Sequence, residues 1–186
     1  RNLSGEKAQT LMKVLHIITR MNTGGPAVFL DHLTNTMSDL SAQSTIAHGY
    51  CESNETDYTN THKLSADLIK VKSLHRSLSP ISDIRSFFQI RKIIKIQKPD
   101  VVNTHTSKAG VLARLATKSV NRKTPVVHTF HGHLIYGYFA RYKSTVFTLI
   151  EKIMSRFTNV AVAVTAETKN SLTTLGIGRN LPWRVI

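Results

Sequence analysis

The stretch that decides the fold covers residues 13–30 and reads KVLHIITRMNTGGPAVFL. Its first half, residues 14–19, is rich in β-branched and apolar side chains and predicts a buried strand. Gly24-Gly25 interrupts this pattern, and Pro26 suits the first helical position because the N–H it lacks would be unpaired there anyway. The stretch therefore predicts a strand, a glycine turn and a helix.

A glycine turn of this kind directs the free N–H groups of a helix toward whatever lies above the end of the strand. The usual ligand there is an anion or a sugar hydroxyl, which makes Gly24 and Gly25 candidate binding residues. An ordinary tight connection without a ligand is equally compatible with the pattern. The turn departs from the G-x-G-x-x-G fingerprint, so the sequence does not support a dinucleotide site.

The composition describes one globular domain of 186 residues with a net charge of +14. The electric field of such a charge attracts polyanions: nucleic acid, anionic lipid or phosphorylated substrates. The basic residues lack the interleaved aromatic residues of single-strand binders and no nucleic-acid motif occurs, so nucleic acid is the least favoured partner.

Several features predict a cytoplasmic protein, either free or peripheral at the inner face of the membrane. Cys51 is the single cysteine, which excludes a disulfide framework. No apolar run approaches the roughly 20 residues of a membrane span, and residues 1–12 are polar, typical of a flexible lead-in rather than a signal peptide.

Along the rest of the chain, short apolar runs alternate with helical patterns. Together they predict a doubly wound, Rossmann-like α/β fold with a parallel sheet. An alternating strand with one wet face is expected near the sheet edge, at residues 68–74. The other predicted strands are residues 44–49, 100–105, 124–130, 160–164 and a start at 183–186. The remaining predicted helices are residues 80–98, a run that follows Ser107, residues 139–157 and residues 166–175. The apolar positions of the first of these helices include Ile84 and Phe88. The apolar stripe of the helix at residues 139–157 includes Val146, Leu149, Ile150 and Ile153.

Three polar turns follow predicted strands: Gly24-Gly25, residues 105–108 and residues 131–133. Because the carboxyl ends of parallel strands meet at one edge, these turns are expected to converge on a ligand. Ser107, in the second turn, is the expected N-terminal cap of the helix that follows. Lys108 would meet either a phosphate or the solvent.

The histidines raise the question of a metal site, but no carboxylate or cysteine cluster accompanies His105, His128, His131 and His133. His16 and His128 lie within strands and are expected to be packed. His131 lies at a strand end beside Gly132, where an imidazole could bond a sugar hydroxyl or transfer a proton. No nucleophile elbow, phosphate-binding loop or paired-carboxylate site is present.

The segments MKVLHIITRMNTGGPAVFL, KPDVVNTHTSKAGVLARLA and TPVVHTFHGHLIYGYF, taken in order, resemble the N-terminal domain of a family 4 glycosyltransferase of the GT-B fold. The resemblance covers residues 12–186. It implies that residues 13–180 form the acceptor-side domain and that residues 181–186 begin the linker or the next strand. The C-terminal donor domain would be absent, and the fragment alone is expected to be inactive.

The resemblance implies a retaining hexosyl transfer from a nucleotide-sugar donor to a saccharide or lipid-linked acceptor, without a metal or other cofactor, in bacterial surface polysaccharide or glycolipid synthesis. His131 would contact the transferred sugar near the reacting centre, and Gly24 and Gly25 would face the donor phosphates and the acceptor. The other residues expected to bind donor or acceptor are Thr106, Ser107, Lys108, Gly132 and His133.

Two alternatives remain open from the sequence. A sugar-nucleotide epimerase of the GT-B type would share the fold and act without an acceptor. A non-enzymatic module would use the basic surface to hold a membrane or nucleic acid.

Overall fold

The computed structural model describes residues 11–132 and 141–186, and these residues form an α/β fold with seven strands and five α-helices. Short 3₁₀ turns occur at Tyr58–Asn60 and Ser155–Phe157. In chain order the elements are β1 Met12–Arg20, α1 Gly25–Asp39, β2 Ala42–Gly49, β3 Asp67–Lys70, α2 Pro80–Gln97, β4 Val101–His105, α3 Ser107–Val120, β5 Val126–Phe130, α4 Arg141–Met154, β6 Val160–Ala163, α5 Ala166–Thr174 and β7 Trp183–Val185.

The strands form one parallel sheet in the order β3-β2-β1-β4-β5-β6-β7, which confirms the predicted doubly wound architecture. β3 is an edge strand, as predicted, although it is shorter than the apolar run suggested. The strand order reverses between β1 and β4, which pair directly through Leu15 and Val102. In open parallel sheets, ligands bind beyond the carboxyl ends of the strands at this reversal. The ends of β1 and β4 therefore mark the candidate cleft.

Helices cover both faces of the central strand β1, which is why it reads as a continuous apolar run. On one face, Leu15 and Ile17 pack with residues of α2 and α3. On the other face, Ile18 packs with Met21 and with Leu30 of α1. This double coverage fixes the end of β1, and with it the glycine turn, against a rigid core.

Helix α2 occurs where it was predicted, but its buried face is narrower than the apolar spacing suggested. Ser86, Ile90 and Ile94 are buried. Ile84 and Phe88 are each 59% exposed, because the helix contacts the domain along one side only. The helix therefore presents apolar side chains to solvent.

Helix α4 differs more strongly from its predicted orientation. The predicted helix began at residue 139, and residues 139 and 140 lie outside the described ranges. Of the predicted apolar stripe, Met154 is buried, but Val146, Leu149, Ile150 and Ile153 are exposed. The helix instead buries Glu151, whose carboxylate accepts two 2.9 Å hydrogen bonds from Nη2 of Arg114 on α3.

The Arg114–Glu151 ion pair explains the orientation of α4. Each of the two side chains is only 1% exposed. Burial lowers the pKa of Arg114 and raises the pKa of Glu151, and in both cases the partner charge opposes the shift. Arg114 Nε also donates to the carbonyl oxygen of Gly110 at 2.9 Å. A buried charge is tolerated only when it is paired in this way, so the pair determines which face of α4 turns inward.

Within the described ranges, none of the helices has the length and apolar character that crossing a bilayer requires.

Candidate functional site

The ends of β1 and β4 are joined by a chain of hydrogen bonds between Thr19 and Thr106. Their hydroxyl oxygens lie 2.7 Å apart, and the backbone N–H of Thr19 donates to Thr106 Oγ1 at 3.3 Å. The Thr106 hydroxyl donates to the carbonyl oxygen of His105 at 2.6 Å. The N–H of Ala109 donates to Thr19 Oγ1 at 3.4 Å, so α3 is tied to the same network. The floor of the cleft is therefore held by side chains as well as by the sheet.

Thr106 adopts a backbone conformation that is unusual for a β-branched residue, with φ of 60°. This turn lets α3 begin immediately after β4, with Thr106 as the cap residue. The prediction that Ser107 caps the helix is therefore wrong, since Ser107 is its first residue. The Ser107 hydroxyl is buried and has no hydrogen-bond partner among the described residues.

Lys108 points toward α2 rather than across the cleft. Its ammonium forms an ion pair with Asp83 and donates to the carbonyl oxygen of Ser77 at 2.6 Å. The side chain is mostly buried. Asp83 and Ser77 already engage this ammonium, and contact between Lys108 and a ligand stays a prediction.

His131 lies just beyond the end of β5 and is held by two aromatic partners. Its Nε2 lies 3.0 Å from Nδ1 of His105, the fully buried last residue of β4. The ring of Phe29 on α1 meets the His131 ring edge-on, with 5.2 Å between the ring centroids. The structure thus brings the second and third predicted turns together and adds α1 to them.

Both histidines of this pair are neutral near neutral pH. Burial lowers the pKa of His131 to about 4. Burial also holds the pKa of His105 well below its usual range, with smaller contributions from the neighbouring histidines. The pair can therefore donate and accept hydrogen bonds, but it brings no positive charge to the cleft.

The glycine turn leaves open space above the start of α1. A methyl group added at Gly25 would meet no atom within 4 Å, and at Gly24 the nearest would be Nδ2 of Asn22 at 3.8 Å. By contrast, a methyl group at Gly49 would lie 1.9 Å from the carbonyl oxygen of Leu74. The packing of the chain therefore does not account for the paired glycines, whereas a ligand approaching the backbone would.

The remaining predicted site residues give less information. Gly132 has φ of +86°, which favours glycine, and it turns the chain directly after His131. His133 lies outside the described residues. His128 is packed as predicted, with Nδ1 2.7 Å from Thr104 Oγ1. His16 is buried as predicted, but neither of its ring nitrogens has a partner in the described part of the chain.

Sequence reasoning missed Phe29 and the role of His105 as a partner of His131. Phe29 lies in the first turns of α1, one helical turn beyond Gly25, and that position was the available signal. Across the described residues, no group of three or more histidine, cysteine, aspartate or glutamate side chains is arranged to hold a metal ion.

The sequence is similar to known glycosyltransferases. Residues 23–186 match the model of Glycosyltransferase Family 4. A stretch of 77 residues, 41% of this chain and 19% of the relative, is 39% identical to UDP-Gal:alpha-D-GlcNAc-diphosphoundecaprenol alpha-1,3-galactosyltransferase of Escherichia coli.

Solved structures share the fold at low identity. A glycosyltransferase from Rickettsia africae is 21% identical with a TM-score of 0.68, over 95% of this chain and 43% of that one. UDP-GlcNAc 2-epimerase from Methanocaldococcus jannaschii is 17% identical with a TM-score of 0.63, over 94% and 45%. The chain thus corresponds to less than half of each of these proteins, and it has the Rossmann-like architecture of one half of a GT-B fold.

Proposed function

Because this chain belongs to Glycosyltransferase Family 4, we propose that the protein transfers a sugar from a nucleotide-sugar donor to a saccharide or lipid-linked acceptor, with retention of configuration. The chain described here supplies the acceptor side of the cleft, and the remainder of the protein supplies most of the donor site. The setting is the synthesis of bacterial surface polysaccharide or glycolipid.

The observation that carries this proposal is the position of His131. The residue directly follows β5, the neighbour of β4, at the carboxyl-end rim of the sheet. The fully buried His105 holds one of its ring nitrogens, and the half-buried Phe29 packs against its ring. Its side chain is partly exposed. A neutral, fixed imidazole is suited to bonding a hydroxyl of the transferred sugar and orienting it for reaction.

The glycine turn supports a phosphate-bearing donor. Open space above Gly25 lets a diphosphate approach the backbone N–H groups of Gly24 and Gly25 at the start of α1, a helix of 15 residues. Pro26 has no N–H, and those of Ala27 and Val28 already donate to the carbonyl oxygen of Gly24. Helix N-termini stabilise anions, and a leaving nucleotide diphosphate gains negative charge as the sugar departs. The excess of positive charge on the chain acts in the same direction.

The lipid-linked acceptor class is supported by the relative from Escherichia coli, whose name describes an undecaprenol-linked acceptor. We also propose that α2 places the protein against an anionic membrane. One side of this helix exposes apolar residues together with basic ones, and such a face suits lipid headgroups. The exposed residues of this face are Ile81, Ile84, Arg85, Phe88, Lys92, Lys95 and Ile96.

The test of the activity uses the natural protein that contains this chain, with UDP-galactose and a GlcNAc-diphosphoundecaprenol analogue as first substrates. We expect His131→Ala to reduce turnover much more than it changes thermal unfolding. His32→Ala, on the exposed side of α1, is the matched control and should retain full turnover. Undiminished turnover of His131→Ala would remove His131 from the site. Conversion of the UDP-sugar without an acceptor would instead indicate an epimerase.

The membrane contact is tested by flotation of the same protein with phosphatidylglycerol-containing vesicles. We expect Lys92→Glu/Lys95→Glu to weaken binding, and we expect added salt to weaken it in the wild type. Arg122→Glu/Lys123→Glu makes the same charge change in the exposed loop before β5 and should bind as the wild type does. Salt-independent binding, or equal loss in both double variants, would contradict a role for α2.

A further inference from the structure

His105 and His131 are in contact at the rim of the sheet, and the role of this contact rests on the proposed function of His131. His105 ends β4 and is fully buried, whereas His131 is partly exposed at the rim. Their contact, Nδ1 of His105 to Nε2 of His131 at 3.0 Å, is a hydrogen bond between two neutral rings. One ring must therefore donate and the other must accept.

The surroundings of His105 indicate which ring donates. Its other nitrogen, Nε2, is buried and has no hydrogen-bond partner among the described residues. A buried N–H without an acceptor is costlier and rarer than a buried acceptor without a donor. The single proton of neutral His105 is therefore favoured on Nδ1, where it is donated to His131.

The position of the proton on His105 also determines the protonation of His131. Because its Nε2 accepts this hydrogen bond, the proton of neutral His131 lies on Nδ1. That nitrogen is not engaged with a described residue, so it is the one left for a ligand. His131 then offers a hydrogen-bond donor to the cleft rather than a lone pair, and it is not poised to remove a proton.

The position of the pair is fixed by neighbours on both sides. The ring of His16 lies 5.8 Å from that of His105, and the ring of Phe29 lies 6.2 Å from it and 5.2 Å from that of His131, all measured between centroids. Phe29 bridges the two rings from α1, and the backbone of His105 is anchored through the Thr106 hydroxyl. The rings thus have little freedom to rotate away from this contact.

We propose that His105 is a positioning residue that holds His131 in its Nδ1–H form, so that His131 donates a hydrogen bond to an oxygen atom of the transferred sugar. His105 itself does not touch the substrate.

Nitrogen NMR of histidine side chains in the natural protein tests the protonation state directly. We expect a protonated Nδ1 and an unprotonated Nε2 in His131. The opposite assignment in the wild type would overturn the proposal, and this measurement does not depend on whether any variant folds. In His105→Leu, the tautomer equilibrium of His131 should shift toward the Nε2–H form, which an unconstrained neutral histidine prefers.

Kinetics with UDP-galactose and the acceptor analogue provide the second readout. We expect His105→Leu to lower kcat about tenfold to a hundredfold with little change in KM, by analogy with the loss seen when a metal-bound histidine loses its orienting partner. His105→Asn keeps an N–H near the position of Nδ1 and should recover a large part of kcat. Equal losses in Leu and Asn variants of unchanged fold would indicate a purely structural role.

His131→Ala, measured in the same assay, separates the two proposals. If His131→Ala lowers turnover and His105→Leu does not, the positioning role fails while the proposed function stands. If His131→Ala has full turnover, the proposed function of this residue fails first.

Discussion

The side-chain oxygens of Thr19 and Thr106 lie 2.7 Å apart, although 87 residues separate them in the chain. The contact joins the ends of β1 and β4, the two strands that flank the reversal of strand order. It also holds Thr106 in a conformation with φ of 60°. Strained residues of this kind persist where their surroundings over-determine them, and they concentrate at functional sites.

The first prediction concerns this hydroxyl pair. Thr19→Val and Thr106→Val keep the side-chain shape and remove one hydroxyl each. We expect each variant to unfold at lower urea concentration, because a buried polar partner is left unpaired. The two changes should show a coupling energy of about 0.5–3 kcal/mol in a double-mutant cycle. Strict additivity would show that the two hydroxyls do not act together.

The second prediction compares two glycines. Gly25→Ala should leave the free energy of unfolding unchanged or raise it by about 0.4–1 kcal/mol, because the added methyl group meets open space. The same variant should bind the nucleotide-sugar donor more weakly if a ligand occupies that space. Gly49→Ala should unfold far more easily, since its methyl group would clash with the backbone of Leu74. Calorimetry on the two variants measures the free energy of unfolding and the affinity for the donor. Unchanged donor affinity in Gly25→Ala would contradict the assigned site.

The third prediction concerns Arg114 and Glu151. Removing either charge leaves the other buried and unpaired, so Arg114→Met and Glu151→Leu should each cost about 3–5 kcal/mol. The double variant replaces both charges with apolar groups and should lose much less than the sum of the two. Urea denaturation of the three variants measures this difference. If the double variant lost as much stability as the two single variants added together, the ion pair would not be the reason these residues are buried.

The fourth prediction concerns stability in mild acid. Burial lowers the pKa of His16 to about 4, whereas an unfolded histidine titrates near about 6.5. The unfolded chain therefore binds more protons in this window, and stability falls as the pH drops from about 6.5 toward 4, by up to about 1.4 kcal/mol per pH unit for each such histidine. His105 and His128 act in the same direction because burial lowers their pKa values as well.

The substitution His16→Leu isolates one of these contributions. It removes two buried nitrogens that lack partners in the described residues, so the protein should be as stable as the wild type near neutral pH and lose stability less steeply in acid. His32→Leu, on the exposed side of α1, is the matched control. Denaturation midpoints across this pH window provide the measurement, and an unchanged slope in His16→Leu would contradict the assigned titration.

The elements of the fold could be predicted because each depends on a local pattern. The apolar run before Gly24 identified β1, and the glycine turn followed by Pro26 identified α1. The alternation at residues 68–74 placed β3 at an edge. The side of α4 that faces the domain could not be found in this way. That side depends on Arg114, which lies 37 residues from Glu151 and joins it only through tertiary packing.

The candidate site was predictable to the same extent. The three polar turns were expected at one edge because parallel strands end together. Side-chain directions were not accessible, so the His105–His131 contact and the turn of Lys108 toward Asp83 appear only in the structure. Ser107 was expected as the cap because serine favours that position, but Thr106 occupies the cap position in the structure.

The strand order has a consequence for how the protein is made on the ribosome. Val14 of β1 pairs with Ser44 on one side and with Val101 on the other. Translation at about 5–20 residues per second therefore separates the synthesis of β1 from that of its second neighbour by roughly 4–17 seconds. During this interval one edge of the nascent central strand has no partner, and an open apolar edge invites pairing with other chains. The arrival of β4 is thus the event that protects the growing polypeptide, and a pause in translation between β2 and β4 prolongs the period in which this edge of β1 stays open.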